Sequence, residues 1–492
     1  MGSSCSSMPR VVVAGGGISG LAFAHRILEE SRRTNFPVEL VLLEASNRLG
    51  GVIQTNERDG FILEGGPDSF ISEKPWALAL CQRLGLEPRL VATEKTNRRS
   101  FIALRGKLHP VPDGFYLMAP TRLWPLVTTR IFSWSGKARI LADLFLPKMQ
   151  KESENQDESL ASFVRRRLGQ ELLERVAQPM VGGIYTADPE ELSLRASMPR
   201  FLEMERQHRS VILAMLRQGR KLRHPQSHQP GGPRYSLFVS LSRGMREIVD
   251  ALRTKLPAES IRLHSRLTGV RFDHPSRQWF LRTNGSAEFQ ADALCLALAA
   301  YQSASLMESL DATVAERLRS IRYASTATVN LAYRMKDIPS VLEGFGFVVP
   351  AIEKREILAC TFSHMKFAAR APQGFALLRA FVGGALQPKA FEYGDADIIR
   401  IVRQNLRDLL GIQLAPLFTQ VERHPLAMAQ YRVGHLTLID QIDRSLQPFP
   451  TLQLAGNAYA GVGIPDCVHR GEQCADRLLS HLRVRSAVPS SA

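Results

Sequence analysis

Residues 10–14 read as a short apolar strand with three successive β-branched valines. The glycines of 15–20 form a tight turn, and residues 18–30 continue as a helix. Residues 38–44 then form a second apolar strand ending in an acidic residue. Strand, helix and strand in this order predict a βαβ unit with a parallel sheet. Residues 120–151 change character, mixing Trp, Phe and Leu with isolated basic positions. Helical spacing recurs over 160–178 and 198–223, which reads as an α-helical insertion. Residues 225–234 are polar with Pro and Gly and read as a loop. Strand patterns return at 262–272, 278–283, 291–298, 327–334, 346–349, 357–362 and 376–382. The chain closes with a strand at 452–454, a Gly-rich turn and a helix over 465–482. The fold is expected to begin near Met8, and the tail after Arg485 to be disordered. No internal repeat is visible.

The chain has 492 residues, which predicts two or three lobes rather than one core. Apolar content of 45% and charged content of 22% suit a soluble globular protein. Six scattered cysteines form no C-x-x-C pair and no metal-ligand spacing, so they read as reduced thiols in a reducing compartment and no metal is expected. The net charge of +16 points to nucleic acid, an anionic membrane surface or an anionic substrate, unless it reflects an Arg-rich composition alone. The basic stretch 195–223 is interrupted by Glu203 and Glu205 and has apolar residues at helical spacing. It reads as a solvated helix face, with no nucleic-acid partner. No apolar run reaches the length of a membrane-spanning helix, and no secretory signal is visible. The start Met1-Gly2-Ser3-Ser4-Cys5-Ser6 fits a loose N-myristoylation pattern but reads better as a disordered leader.

The turn carries Gly15-Gly16-Gly17-Ile18-Ser19-Gly20, a G-x-G-x-x-G after a strand and at the start of a helix. Gly15 permits the turn, Gly17 lets backbone approach a pyrophosphate, and Gly20 permits close helix–strand packing. The helix N-terminus adds unpaired amides and a partial positive charge. Glu44 ends the second strand where a carboxylate reaches the adenosine ribose, which argues against a 2′-phosphate and so against NADP.

Three further segments carry a resemblance. Glu44-Ala45-Ser46-Asn47-Arg48-Leu49-Gly50-Gly51 resembles the E-x-x-x-R-x-G-G motif of the amine-oxidase-like flavoprotein superfamily. Glu64-Gly65-Gly66-Pro67-Asp68-Ser69 resembles its second glycine turn, near the flavin. Leu454-Ala455-Gly456-Asn457-Ala458-Tyr459-Ala460-Gly461-Val462-Gly463-Ile464-Pro465-Asp466 resembles its flavin-contacting C-terminal end. Pro465 suits the first turn of a helix, and a helix N-terminus aimed at the flavin N1–C2 edge would stabilise anionic reduced flavin. The resemblance implies FAD as cofactor, with Arg48 on the pyrophosphate and Gly50-Gly51 running close to it. Ala45, Val52, Val270 and Gly456, Asn457, Val462, Gly463 and Ile464 complete the implied FAD-binding set.

Nearly end to end, the chain resembles the oxygen-dependent protoporphyrinogen/coproporphyrinogen oxidases of the haem pathway. In Gly461-Val462-Gly463-Ile464-Pro465-Asp466-Cys467 it is most similar to the Gram-positive-type coproporphyrinogen III oxidases. The resemblance implies a six-electron dehydrogenation of a porphyrinogen to a porphyrin, with hydride passing to flavin N5 and O2 reoxidising the flavin to give H2O2. The flavin performs the chemistry; no side-chain triad and no general base is assigned. Gly344-Phe345-Gly346-Phe347-Val348-Val349-Pro350 matches the family's pocket strand, with Val348 facing the tetrapyrrole. Phe381 matches a position that packs on a pyrrole, and Thr361 and Phe362 are expected to line the same slot. Gly182 belongs to the implied substrate set as well. For each of these the alternative is an ordinary core position. The mitochondrial enzymes place an Arg against a propionate where this chain has Ser100, with Arg99 one residue earlier. Neighbouring residues on a strand face opposite ways, so Arg99 is not equivalent. Gram-positive coproporphyrinogen oxidases look similar in lacking that Arg, which leans the substrate toward the four-propionate coproporphyrinogen III and leaves protoporphyrinogen IX open.

The expected architecture is a Rossmann-like FAD-binding domain (8–75, 236–300, 425–485), a mixed-sheet substrate domain (76–104, 206–235, 301–424) and a helical insertion (105–205). In the mitochondrial relatives this insertion rests on a bilayer. Here Leu123-Trp124-Pro125-Leu126 and Ile131-Phe132-Ser133-Trp134 alternate with Arg122, Arg130, Lys137 and Arg139, which suits peripheral contact with the inner face of the cell membrane as well as a lid with buried aromatics. A cytoplasmic location, a homodimer and hand-over to the next haem-pathway enzyme are the remaining expectations. Two other readings stay open: another flavoenzyme of the superfamily, such as an amine oxidase or carotenoid desaturase, and a flavin-free carrier of the same fold, like the Rab GDP-dissociation inhibitors. An amine oxidase would carry an aromatic cage, to which Ala458-Tyr459 supplies at most one residue. The intact C-terminal flavin motif argues against the carrier.

Overall fold

The structure, a computed structural model, describes residues 8–94, 98–116, 118–148, 157–221, 237–285, 288–339 and 343–487. The elements that build the site are, along the chain, β1 (Arg10–Ala14), α1 (Ile18–Thr34), β2 (Glu39–Leu43), β3 (Ser100–Leu104), β4 (Lys107–Pro110), α2 (Gln178–Tyr185), β5 (Ile261–Arg262), β6 (Ala293–Leu296), β7 (Tyr323–Arg334), β8 (Gly346–Val348), β9 (Ala359–Phe362), β10 (Phe375–Gly383), β11 (Phe418–Ala429), β12 (Leu452–Leu454) and α3 (Ile464–Ala487).

One sheet has the order β5-β2-β1-β6-β12 and is parallel throughout. Its strands alternate between two cores. Val11 and Val13 pack with Leu21 and Phe23 of α1, while Val12 and Ala14 pack into the other cluster. Both faces are covered, which is why the strand reads as an unbroken apolar run. Helix α3 lies against α1 so closely that a Cβ on Gly471 would sit 2.4 Å from the Ser19 carbonyl oxygen.

The second sheet has the order β11-β7-β10-β9-β8-β3-β4 and is mixed, with β8 and β3 parallel and the other pairs antiparallel. One face buries Val329, Leu331, Phe347, Cys360, Phe362, Leu378 and Ala380 under the helix Asp395–Leu410. The opposite face turns toward the glycine turn at 64–66, to which Thr328, Asn330 and Arg379 donate.

Helices Leu123–Thr128, Trp134–Leu141, Leu160–Arg167, Pro199–His208 and Val211–Lys221 pack together with α2, so the helical cluster runs past the boundary expected at 205. A buried ion pair locks it: Arg167 Nε donates to Asp143 Oδ1 at 2.6 Å, and Asp143 also accepts from Ser210 Oγ and the Ile212 amide. Full hydrogen bonding is what makes such a buried pair tolerable.

Several elements differ from the sequence expectation. The helical stretch 160–178 breaks at Gly169, whose φ of 96° only glycine adopts freely, and continues through a π-helical turn over Leu173–Ala177. The stretch 198–223 breaks at Arg209 (φ 65°), and its residues past Lys221 lie outside those described. The expected strand 262–272 is two strands in two sheets, β5 and Leu267–Asp273. The expected strand 291–298 divides at Asp292, which accepts the Arg10 amide. β4 occupies the start of the segment expected to be helical, as an edge strand of the second sheet. β11 runs unbroken across the expected boundary at 424–425. The leader before Met8 and the loop 225–234 lie outside the described residues. Helix α3 continues through Ala487 where a tail was expected, and 488–492 lie outside.

Candidate cofactor and substrate site

The glycine turn is fixed on both sides. The Gly15 amide donates to Leu43 O at 2.8 Å, and the Gly50 amide donates to Gly16 O at 2.8 Å. A Cβ on Gly15 would lie 2.3 Å from Ala297 O, and one on Gly20 would lie 1.9 Å from Gly15 O. The protein's own packing therefore demands glycine at both positions. Gly17 is different. It has an ordinary φ of −71°, and a Cβ built on it meets nothing within 4 Å. Open space thus lies beside Gly17 at the N-terminus of α1, where a pyrophosphate would meet the first-turn amides. The residues present fit an FAD.

Glu44 directly follows β2 and spreads its carboxylate, accepting from the Gly16 amide on one oxygen and the Ser46 amide on the other, both at 2.7 Å. Ala45 beside it is exposed. Ser265 and His264 donate to Glu44 O and Ser46 O, so the strand bearing Val270 starts at this turn. Val270 itself is buried in a separate three-stranded sheet. Arg48, expected on a pyrophosphate, folds its own loop: Nη2 donates to Gly51 O (2.8 Å) and Gln54 Oε1 (2.9 Å), and Nη1 to Ile53 O (3.3 Å). Val52 is left 45% exposed in that loop.

The second glycine turn is gripped from the second sheet. Gly65 O accepts from Thr328 Oγ1 (2.8 Å) and Arg379 Nη2 (3.2 Å) and lies 2.9 Å from His424 Nε2. Arg379 also donates to Gly66 O, and Asn330 Nδ2 donates to Glu64 O at 3.0 Å. Gly66 sits so tightly that a Cβ would lie 1.8 Å from Val52 O. Asp68, beyond Pro67, pairs with Lys366 at 2.9 Å and accepts from Ser69 Oγ. Burial opposes its ionisation, but Lys366 and Arg379 hold its carboxyl well below the usual range. Burial pushes the Glu64 carboxyl up, against the pull of Arg370.

The C-terminal loop is braced by the end of β11 and the turn beyond it. Tyr431 Oη donates to Asn457 O at 2.6 Å and accepts from the Gly461 amide at 2.8 Å. Asn457 Nδ2 donates to Ala427 O at 2.8 Å. His435 stacks on Tyr431 with ring centroids 4.1 Å apart and hydrogen-bonds the Ala458 backbone. Gly456 has a φ of 133°, Val462 and Gly463 are half-buried, and Ile464 opens α3 into the core of the first domain. Asp466, in the first turn of α3, pairs with Lys74 at 2.7 Å.

Register decides which strand residues share the slot. Ser100, Gly346, Thr361, Arg379 and Asn330 form one cross-strand row. Ile102, Val348, Ala359, Phe381 and Thr328 form the next row on the same face. Ser100, Val348, Thr361 and Phe381 are half-buried on this face. The Gly183 Cβ position is 3.9 Å from Val348 Cγ1, so α2, with buried Gly182, walls the row. Phe362 does not belong there. It pairs with Leu378, is 1% exposed, and meets Phe347 with ring centroids 6.2 Å apart in the opposite core. Successive strand residues face opposite ways, so Thr361 and Phe362 cannot line one slot. Arg99 likewise faces away from Ser100, 64% exposed and 3.8 Å from Glu343.

Sequence reasoning singled out neither Arg379, Asn330, His424 nor Tyr431. Arg379 had a signal, a charge within the apolar strand run Leu377-Leu378-Arg379-Ala380-Phe381. Among the described residues no group of His, Cys, Asp and Glu forms a metal site, and no helix is long and apolar enough to cross a membrane.

The model of the flavin-containing amine oxidoreductase family matches residues 18–479. A coproporphyrinogen III oxidase of Bacillus subtilis (strain 168) is 35% identical over 96% of this chain and 98% of its own. One of Propionibacterium freudenreichii is 34% identical over 98% of this chain and 92% of its own. The crystal structure of a candidate protoporphyrinogen oxidase from Exiguobacterium sp. 255-15 superposes with a TM-score of 0.84 at 30% identity, covering 97% of this chain and 99% of that one.

Proposed function

The chain belongs to the flavin-containing amine oxidoreductase family, and within it we propose that it oxidises a porphyrinogen, coproporphyrinogen III by preference, to the porphyrin in haem biosynthesis, with O2 as acceptor and H2O2 as product. One observation carries the reading. The sheet face that presents Val348, Thr361 and Phe381 is the face whose neighbours Thr328, Asn330 and Arg379 hydrogen-bond the second glycine turn. A tetrapyrrole macrocycle on that face would therefore lie against the cofactor end of the turn. FAD, when bound, supplies the redox chemistry. The glycine turn, Glu44 and the Gly456–Ile464 loop hold it, Phe381 and Val348 receive the macrocycle, and α2 keeps water from the slot.

The preference for coproporphyrinogen III rests on Ser100. Ser100 offers the slot a hydroxyl where a guanidinium would stand, the row's own Arg379 is engaged with Gly65 O and Gly66 O, and Arg99 stands at the exposed rim, where additional propionates would remain in water. The surface of the insertion favours peripheral membrane contact, because Trp124 and Trp134 are each 75% exposed and Phe145 81%. The test of the function is to supply coproporphyrinogen III and protoporphyrinogen IX side by side in air and follow porphyrin fluorescence. Faster formation from coproporphyrinogen III is expected. Fluorescence no faster than spontaneous oxidation with either substrate would sink the reading.

A further inference from the structure

Arg379 is the least expected charge in the substrate sheet. It sits in mid-strand on β10, 3% exposed, cross-strand from both Thr361 and Asn330. Its Nη2 donates to the carbonyls of Gly65 and Gly66, and its guanidinium carbon lies 4.9 Å from the Phe381 ring centroid. Its Nε is buried with no partner.

The surrounding charges do not cancel. Asp68 is paired with Lys366, and Glu64 with Arg370, whose other bonds go to Ser240 Oγ, Leu241 O and Ser242 O. Among the described residues Arg379 makes no ion pair of its own. Glu422 and Arg48 flank the same turn through Gln54, so four cations (Lys366, Arg370, Arg379, Arg48) face three carboxylates (Asp68, Glu64, Glu422), and burial pulls the titration of His424 beside Gly65 down. Buried cations are ordinarily matched by an anion. A neutral amide could also donate to two carbonyls, so holding the turn does not by itself explain a guanidinium there.

We propose that Arg379 is a positioning residue for the oxidation, fixing the Gly65–Gly66 turn against the cofactor and holding a surplus positive charge there that favours the negative charge FAD gains on reduction. The inference rests on the functional reading above, in that the turn borders the flavin. The effect acts through the turn and through the field of a buried charge, which is little screened at this depth. It links the slot floor to the cofactor, since Phe381 and Thr361 flank the same guanidinium.

The test compares wild type, Arg379→Lys and Arg379→Gln as purified holoenzymes. Flavin absorbance per chain, flavin midpoint potential, and kcat and KM for coproporphyrinogen III are measured for each. Gln keeps donors without charge, and Lys keeps charge without the fork. Arg379→Gln is expected to lower the midpoint potential and to cut kcat about tenfold or more with KM within about twofold, the size of one lost charge-assisted interaction. Arg379→Lys is expected to recover most of the potential. A wild-type potential in Arg379→Gln would overturn the proposal. So would loss of flavin from both variants alike, because charge would then be incidental to holding the turn. A wild type that binds FAD but oxidises neither porphyrinogen defeats the functional reading instead, and the potentials still rank the variants.

Discussion

Phe381 and Phe362 stand on the paired strands β10 and β9, yet they open onto opposite faces of one sheet. Phe381 shares its row with Val348 and Thr328, and Phe362 shares its face with Phe347 and Leu378. Aromatic positions on paired strands thus meet different surroundings, one the face proposed for substrate and one the core.

Truncating each separates the two roles. Phe362→Ala should cost about 3–5 kcal/mol of stability through the cavity it leaves, while the folded enzyme keeps its KM. Phe381→Ala should leave stability nearly unchanged and raise KM for the porphyrinogen roughly tenfold, equivalent to about 1.4 kcal/mol of lost contact. Thermal unfolding and steady-state kinetics on both proteins check this, and a reversed pattern would refute the slot assignment.

The glycine turn gives a second contrast. Gly17→Val adds a side chain where nothing of the protein stands, so the apo-protein should fold with its secondary structure intact and bind no FAD. Gly20→Ala places a methyl 1.9 Å from Gly15 O and should disrupt the turn itself. Circular dichroism beside flavin absorbance distinguishes them. A fully flavinated Gly17→Val protein would show that the space is not the cofactor's.

The brace under the C-terminal loop titrates. Burial, opposed by the hydrogen bond to the Ala458 backbone and by Asp157, pulls His435 down from 6.5 to about 4. Between these values the unfolded chain binds the proton and the folded chain does not, so stability rises with pH across that window and is lost as pH falls through it. The full difference from 6.5 to about 4 is on the order of 3 kcal/mol. Unfolding midpoints from pH 7 to pH 4 should drop less steeply in His435→Gln. Tyr431→Phe, which removes the bonds to Asn457 O and the Gly461 amide, should weaken FAD binding by about 1–3 kcal/mol at any pH in this range. An unchanged FAD affinity would mean the loop needs no brace.

Membrane contact is testable on the same protein. Trp124→Ser with Trp134→Ser should abolish co-sedimentation with vesicles of phosphatidylglycerol and phosphatidylcholine, while oxidation of dissolved substrate continues. Equal binding by both proteins would place the contact elsewhere or nowhere.

The dinucleotide unit was legible in the sequence because its determinants are local. The valines of β1, the positive φ of Gly15 and the carboxylate of Glu44 on the Gly16 amide all lie within a few tens of residues, and each constrains backbone its neighbours must share. The C-terminal turn was legible for the same reason. What closes the site was not, because it joins residues far apart along the chain. Gly65 O collects donors from Thr328, Arg379 and His424, and Tyr431 reaches from just past β11 to hold Asn457 and Gly461. No spacing encodes such convergence; it exists only once both sheets are assembled. The face of Phe362 was also settled there. Two aromatic strand positions look alike in sequence, and only the pairing register with Leu378 and Ala359 decides which one meets the slot.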